Sequence, residues 1–251
     1  MTSETTAATT AAIDSASPAG KAGAEGATDP AGELERLLAS RHSCRSFTAE
    51  IVDRHILERV LEMAQRTATW CNAQPWTSYV LSGETLERTR EALTAHVTGG
   101  AGKEPDLLDP ETYTGERLAR RRQAGFALYG ALGIGREDRE ARGRQHLENF
   151  RFFGAPHVVV VTLAAELREY GAVDIGAYIA TLLLAAESLG LASIPQAAPA
   201  LYSPALRDAL GIPADERIVA TVALGYEDTE AAANAFRVPR AGLEENVRFL
   251  D

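Results

Sequence analysis

Apolar positions along the chain repeat with two different periods. Leu34, Leu37 and Leu38 share a helical face that ends near Ser40, so ordered structure is expected to begin near Glu33. Asp53 is a good N-cap, and Ile56, Leu57, Val60, Leu61 and Ala64 keep helical spacing to about Arg66. A strand-like run, Ser78 to Leu81, precedes an amphipathic helix over 84–97. His157 to Leu163 (HVVVVTL) and Arg217 to Gly225 (RIVATVALG) are nearly continuous apolar runs of strand length, suited to central strands. Between them, Ala172 to Leu189 is apolar almost all round, which predicts burial in a core or a subunit interface. The order helix, helix, strand, helices, strand, helix, strand predicts a sandwich of α+β or α/β type with one sheet, without repeats or a second domain.

The polar stretches set the boundaries. Residues 98–112, rich in Gly, Asp and Pro, form a loop, and two Arg-rich helices follow at about 113–132 and 136–152, broken around Gly133 and Gly135. The region from about 98 to 152 is expected to be an insertion or lid on a single domain spanning 31–251. Residues 1–30, rich in Ala, Thr and Ser, read as a disordered tail and a poor targeting peptide. The apolar stretch Ile175 to Ala186 falls short of the roughly 20 residues a membrane span needs, so no span is expected. Net charge is −10 and the pI near 5.1, which argues against nucleic acid as a partner, since binding it requires clustered Lys and Arg. A small anion needs only a few converging basic groups. Cys44 and Cys71 stand at no metal-ligand spacing and make no disulfide framework, so a reduced, cytoplasmic setting is the default and no metal site is expected.

Three constellations could carry chemistry. Arg41 and Arg45 stand four apart with Ser43 between them, and would project from one side if the turn stays roughly helical. Two guanidinium forks and a hydroxyl suit a phosphate, although basic residues at a helix end also satisfy its last carbonyls. In Trp70-Cys71-Asn72-Ala73-Gln74-Pro75-Trp76, amides could read a ring edge and an indole could cover its face. Pro75 is expected to keep Gln74 extended, and Trp76 to belong to the core. Arg237 and Arg240 lie in a tail whose Phe236, Leu243, Val247 and Phe249 suggest packing onto something; they could close a phosphate site from the far end of the chain. A solvated tail is the plainer alternative. No nucleophile elbow, metalloprotease helix, phosphate loop or dinucleotide fingerprint is present. None of the five histidines has a carboxylate partner by spacing, and His157 reads as structural. Such an inventory fits a reaction whose difficult chemistry belongs to a cofactor.

Together these segments resemble the FMN-dependent nitroreductase family, in its nitrobenzoate-reductase-like branch. Arg41, Ser43, Arg45 and Phe47 match R-x-S-x-R-x-F, and Asn72, Gln74, Pro75 and Trp76 match N-x-Q-P-W. Gly190-Leu191-Ala192-Ser193-Ile194-Pro195 matches G-L-x-S-x-P. Leu206-Arg207 through Leu210-Gly211-Ile212-Pro213, Leu224-Gly225-Tyr226 and the closing arginines follow in order, over about residues 33–250. Arg120 to Gly133 and Glu148 to Pro156 carry the resemblance to the branch.

The resemblance implies an α+β sandwich with a central, mostly antiparallel sheet flanked by helices, in an intertwined homodimer with two FMN sites. Arg41, His42, Ser43 and Arg45 would hold the phosphate and ribityl end and approach the ring, where Arg45 would stabilise reduced flavin. Thr69, Trp70 and Asn72 would come from the partner subunit. Pro195, Gln196, Ala197 and Ala198 would lie along the flavin near N5, Asn149 would bond the ring edge, and Arg237 and Arg240 would close on the phosphate. Trp70, Phe126 and Tyr129 would line the substrate position, with no side chain acting as catalyst itself. A bulky Trp70, where small serines are usual, would narrow access. The implied activity is ping-pong transfer of hydride from NADH or NADPH, through flavin N5, to a small aromatic acceptor such as a nitroarene. Reductive dehalogenation, enone reduction, flavin fragmentation and non-catalytic flavin binding remain open alternatives.

Overall fold

A computed structural model describes residues 29–250, so residues 1–28 of the expected tail lie outside it. Helix α1 (Pro30–Ser40) starts earlier than expected, with Pro30 at a position where its missing N–H costs nothing and Glu33 in the positive first turn. Helix α2 (Arg54–Ala64) follows Asp53 and buries Leu57, Val60 and Ala64. Strand β1 (Trp76–Leu81) leads into α3 (Gly83–Thr98). After the expected loop come α4 (Gly115–Ala131) and α5 (Arg139–Leu147). Strand β2 (His157–Ala164), helix α6 (Arg168–Ser188) and strand β3 (Ala192–Gln196) form the centre of the chain. Helix α7 (Ser203–Leu210), strand β4 (Glu216–Gly225) and the short α8 (Leu243–Asn246) complete it.

The four strands form one sheet in the order β1-β2-β4-β3, every neighbouring pair antiparallel. Side chains alternate across a strand, so β2 serves two cores at once. Val158 and Val160 join Phe150, Phe152 and Leu206 on the face covered by α3 and α7. Val159, Val161 and Leu163 join Leu57, Tyr178 and Leu182 on the face covered by α2 and α6. Trp76 sits in that second layer, stacked on Tyr178 at 4.5 Å, with its indole N–H donated to Gln65. This is the α+β sandwich expected, with an entirely antiparallel sheet.

Several elements differ from those the sequence pattern predicts. Strand β3 is absent from that pattern because Pro195 interrupts it; β4 is its only strand partner, and its other edge carries just the isolated bridge at Ser193, so the proline is accommodated at the sheet edge. Helix α7 is a further addition. Helix α5 stops at Leu147, short of the expected 152, because Phe152 and Phe153 both take left-handed backbone (φ 53°) that no α-helix can contain. Gln74 is left-handed rather than extended (φ 45°), held by Thr69 Oγ1 accepting its N–H and by its own amide donating to Asn72. Helix α6 with the turn before it is long and apolar enough, by length and composition alone, to cross a membrane, although its 12-residue apolar heart is not. Here it is the central packing helix of the sandwich, with Ile175, Tyr178, Leu182 and Ala186 in the core and Tyr170 and Val173 left exposed.

Candidate functional site

The segment after α1 leaves the helix at once. Arg41 has extended backbone (φ −57°, ψ 124°), Ser43 bridges in parallel to Ser193 of β3, and the Cys44 N–H donates to the Ser193 carbonyl at 3.1 Å. The expected helical turn is therefore replaced by a strand-like edge, with the same consequence for the arginines. At a period of two, residues 41, 43 and 45 face one way and Cys44 turns into the core, where it is fully buried. His42 finds a carboxylate that spacing could not reveal: its Nε2 lies 2.9 Å from Glu227 Oε1, while Nδ1 faces the Ser40 carbonyl at 3.2 Å.

Arg41, His42, Ser43 and Arg45 line a cavity of about 270 Å³ together with Arg237 and Arg240 from the chain's end. The two arginine groups lie nearly two hundred residues apart in sequence, and the fold brings them together. None of the four arginines has a carboxylate within ion-pair distance among the described residues. Arg240 donates only to the Val238 carbonyl, and Arg237 to the carbonyls of Asn234 and Phe236. Burial and the neighbouring Arg240 charge hold the Arg41 guanidinium below its ordinary range, partly offset by Glu187. Burial does the same for Arg45, which packs over the Phe236 ring at 5.3 Å. Converging guanidiniums that repel one another and have no carboxylate at ion-pair distance among the described residues make a site for an anion.

Ser43 and Arg45 also line a second cavity of about 280 Å³, with Tyr129, Asn149, Pro195, Gln196 and Ala197. The two hollows thus share a wall. Gln196 is 4% exposed; its amide donates to the Asn149 carbonyl at 2.9 Å, and its buried Oε1 has no partner among the described residues. An acceptor left without a donor on the wall of this hollow keeps unused hydrogen-bonding capacity, which an N–H reaching the Gln196 side chain would satisfy. FMN offers a phosphate dianion at one end and a ring carrying an imide N–H at the other, so the residues present fit it.

Not every expected residue converges. Ala198 packs against the hydrophobic core and lines neither cavity, because the one-turn helix that follows Gln196 carries it inward. Phe126 is 51% exposed and lies under Arg136, at 4.8 Å from guanidinium to ring, outside both cavities. Thr69, Trp70 and Asn72 stand elsewhere on the same chain. Trp70 borders a separate hollow of about 420 Å³ with Tyr170 and Asp174, set edge-on to the Tyr170 ring at 4.4 Å. Its backbone N–H donates to the Asp174 carboxylate at 3.2 Å.

Sequence reasoning also missed residues. Asn234 is 4% exposed: its Oδ1 accepts the Arg45 N–H at 2.6 Å and its amide donates to the Ser46 and Asp228 carbonyls. It sits in an alanine-rich stretch with no motif around it; only the nearby Arg237 pointed toward the region. Glu227 and Asp228 were likewise silent.

Comparison with known proteins agrees with this geometry. A family model described as the nitroreductase family matches residues 38–226. A nitroreductase called NfnB from Mycolicibacterium smegmatis is 35% identical over 224 residues, covering 88% of this chain and 94% of that one. A 4-nitrobenzoate reductase from a Nocardioides species is 36% identical over 225 residues, covering 86% and 90%. Among solved structures, the FMN-dependent NfnB of Mycobacterium smegmatis in complex with NADPH superposes with a TM-score of 0.84 at 35% identity, covering 89% of this chain and 100% of that one.

Proposed function

This chain belongs to the nitroreductase family, and on that footing we propose that it is an FMN-dependent oxidoreductase that uses NADPH to reduce nitroaromatic or similar small aromatic acceptors. The observation that carries the reading is the arginine-lined cavity, whose positive charges have no carboxylate partner among the described residues and whose wall continues into the hollow holding the unpaired Gln196 oxygen. FMN, when bound, supplies two-electron transfer between the nicotinamide donor and the acceptor.

The protein's part is to bind, orient and shield. Arg41, Arg237 and Arg240 hold the phosphate end, with His42 and Ser43 beside them. Arg45 stands between the two cavities as a fixed positive charge and stabilises negative charge gathered in the bound ring. Asn149, Pro195, Gln196 and Ala197 wall the ring, and Tyr129 closes the hollow from α4. Each active unit is a homodimer, in which Thr69, Trp70 and Asn72 reach the partner's cofactor. The large exposed side chains of Leu38, Trp70, Phe126, Tyr170 and Val173, and an α4 without a single buried residue, support that assembly. Two free thiols, with Cys44 buried, go with a cytoplasmic setting.

The test is NADPH oxidation by the FMN-loaded protein. Turnover that depends on an added nitroarene such as 4-nitrobenzoate is expected. A flavin-loaded protein that leaves every nitroarene unreduced, or that turns over only halogenated or enone acceptors, overturns the reading.

A further inference from the structure

Two remote parts of the chain must stay in register for the anion site to exist. Residues 41–46 hang on the edge of β3, and residues 236–240 belong to a tail beyond the last strand of the sheet. One buried side chain joins them. Asn234 accepts the Arg45 N–H through Oδ1 at 2.6 Å and donates through Nδ2 to the Ser46 carbonyl at 2.9 Å and the Asp228 carbonyl at 3.0 Å. Its own backbone carbonyl accepts from the Arg237 guanidinium at 2.7 Å. Ser46 adds a second tie, its hydroxyl lying 3.2 Å from the Asp228 carboxylate.

A carboxamide is suited to this position, because it accepts on one atom and donates twice on the other, and here all three capacities are used. An aspartate would present an acceptor to two carbonyl oxygens, and an aliphatic residue would leave the Arg45 N–H unsatisfied, while the Ser46 and Asp228 carbonyls would keep their backbone donors, Asp228 and Ala231. The side chain bonds the backbone of residues 45, 46 and 228 and lines neither cavity, so its effect on a ligand there runs through the residues it places.

We propose that Asn234 is a positioning residue whose side chain holds Arg45 in place for the cofactor; this rests on the FMN reading above. A structural residue of the ordinary kind would lower stability and loosen binding whether or not residue 45 carries a guanidinium. A positioning residue acting through Arg45 loses its effect on binding once that guanidinium is gone. The experiment is a double-mutant cycle on the dissociation constant for FMN, measured by flavin fluorescence with wild type, Asn234→Ala, Arg45→Ala and the double variant, alongside their thermal midpoints. Asn234→Ala is expected to weaken FMN binding about tenfold in the wild-type background and less than twofold in the Arg45→Ala background. An equal loss in both backgrounds, or none in the first, overturns the proposal. If Asn234→Ala cannot be purified folded, the same cycle is run with Ser46→Ala, which removes only the outer tie. That substitution is expected to lose about threefold with Arg45 in place and nothing in the Arg45→Ala background. Additivity there is equally fatal. A wild-type protein that takes up no FMN sinks the functional reading itself, a result distinct from additive losses in a protein that binds it.

Discussion

At the scale of single residues, the charges at the anion site were legible and their supports were not. Arg41, Arg45, Arg237 and Arg240 announce themselves by type and spacing, and the fold gathers them around one cavity. Their partners cannot be read from spacing, since Asn234 lies 189 residues from Arg45, and Glu227 lies 185 from His42. Arg240 has only a backbone carbonyl for company, so most of its donors are free for a ligand. Hydrogen bonds to a charged group contribute about 1.5–3 kcal/mol, so Arg240→Ala is expected to raise the FMN dissociation constant roughly tenfold to a hundredfold. A fluorescence titration reads this directly, and an unchanged constant would remove Arg240 from the site. The two thiols make a second residue-level contrast. Burial pushes the Cys44 thiol up to about 11, while Cys71 is exposed. At pH 8 a thiol reagent is expected to label Cys71 alone, with Cys44 reacting only after denaturation, because the thiolate is the nucleophile. Two equivalent fast-reacting thiols would contradict the burial of Cys44.

Among the elements, legibility followed regularity. Strands β2 and β4 were found because both of their faces are buried, and α2 because its apolar stripe is clean. Strand β3, whose Pro195 and Gln196 line the second cavity, is hidden by Pro195 and by its mixed burial. The end of α5 was overrun because the aromatic run Phe150 to Phe153 looks helical while its backbone turns left-handed. The packing of these elements is close where β4 meets the anion-binding segment. A Cβ at Gly225 would stand 2.6 Å from Pro156 and 3.1 Å from Phe47. Gly225→Ala is therefore expected to cost about 1–3 kcal/mol, with Tm falling about 2–4 °C per kcal/mol in a chain of this size. A wild-type melting curve would show that Pro156 and Phe47 both yield freely. At the start of β2, His157 Nε2 accepts the Val52 N–H, which requires an unprotonated nitrogen, and burial lowers its pKa from the ordinary 6.5. The unfolded chain then binds the extra proton more readily, so this contribution to stability is present above about pH 6.5 and is lost as pH falls through the lower folded value. Melting curves between pH 5 and 8 are expected to show a weaker acid dependence in His157→Gln than in wild type. Identical slopes would mean that another group controls the acid limb.

For the molecule as a whole, one chain gathers most of the proposed cofactor site, and the remaining proposed residues stand elsewhere on its surface. Trp70, 59% exposed, sits beside Tyr170 on a surface away from the arginine cavity, and α4 rests on its own chain with no buried residue. A second copy would supply what is missing and cover what is bare, which is why the site and the assembly are expected to stand or fall together. A motif can suggest that Trp70 serves a flavin, but only the folded chain shows that Trp70 lines a hollow separate from the one its own arginines line. The most direct measurement is a titration of the purified, flavin-stripped protein with FMN, with mass and bound flavin determined on the same sample. One FMN per chain in a dimer is expected, with uptake impaired by Arg41→Ala and Arg240→Ala. A well-folded protein that stays colourless in excess FMN, or whose uptake ignores both arginines, would contradict it.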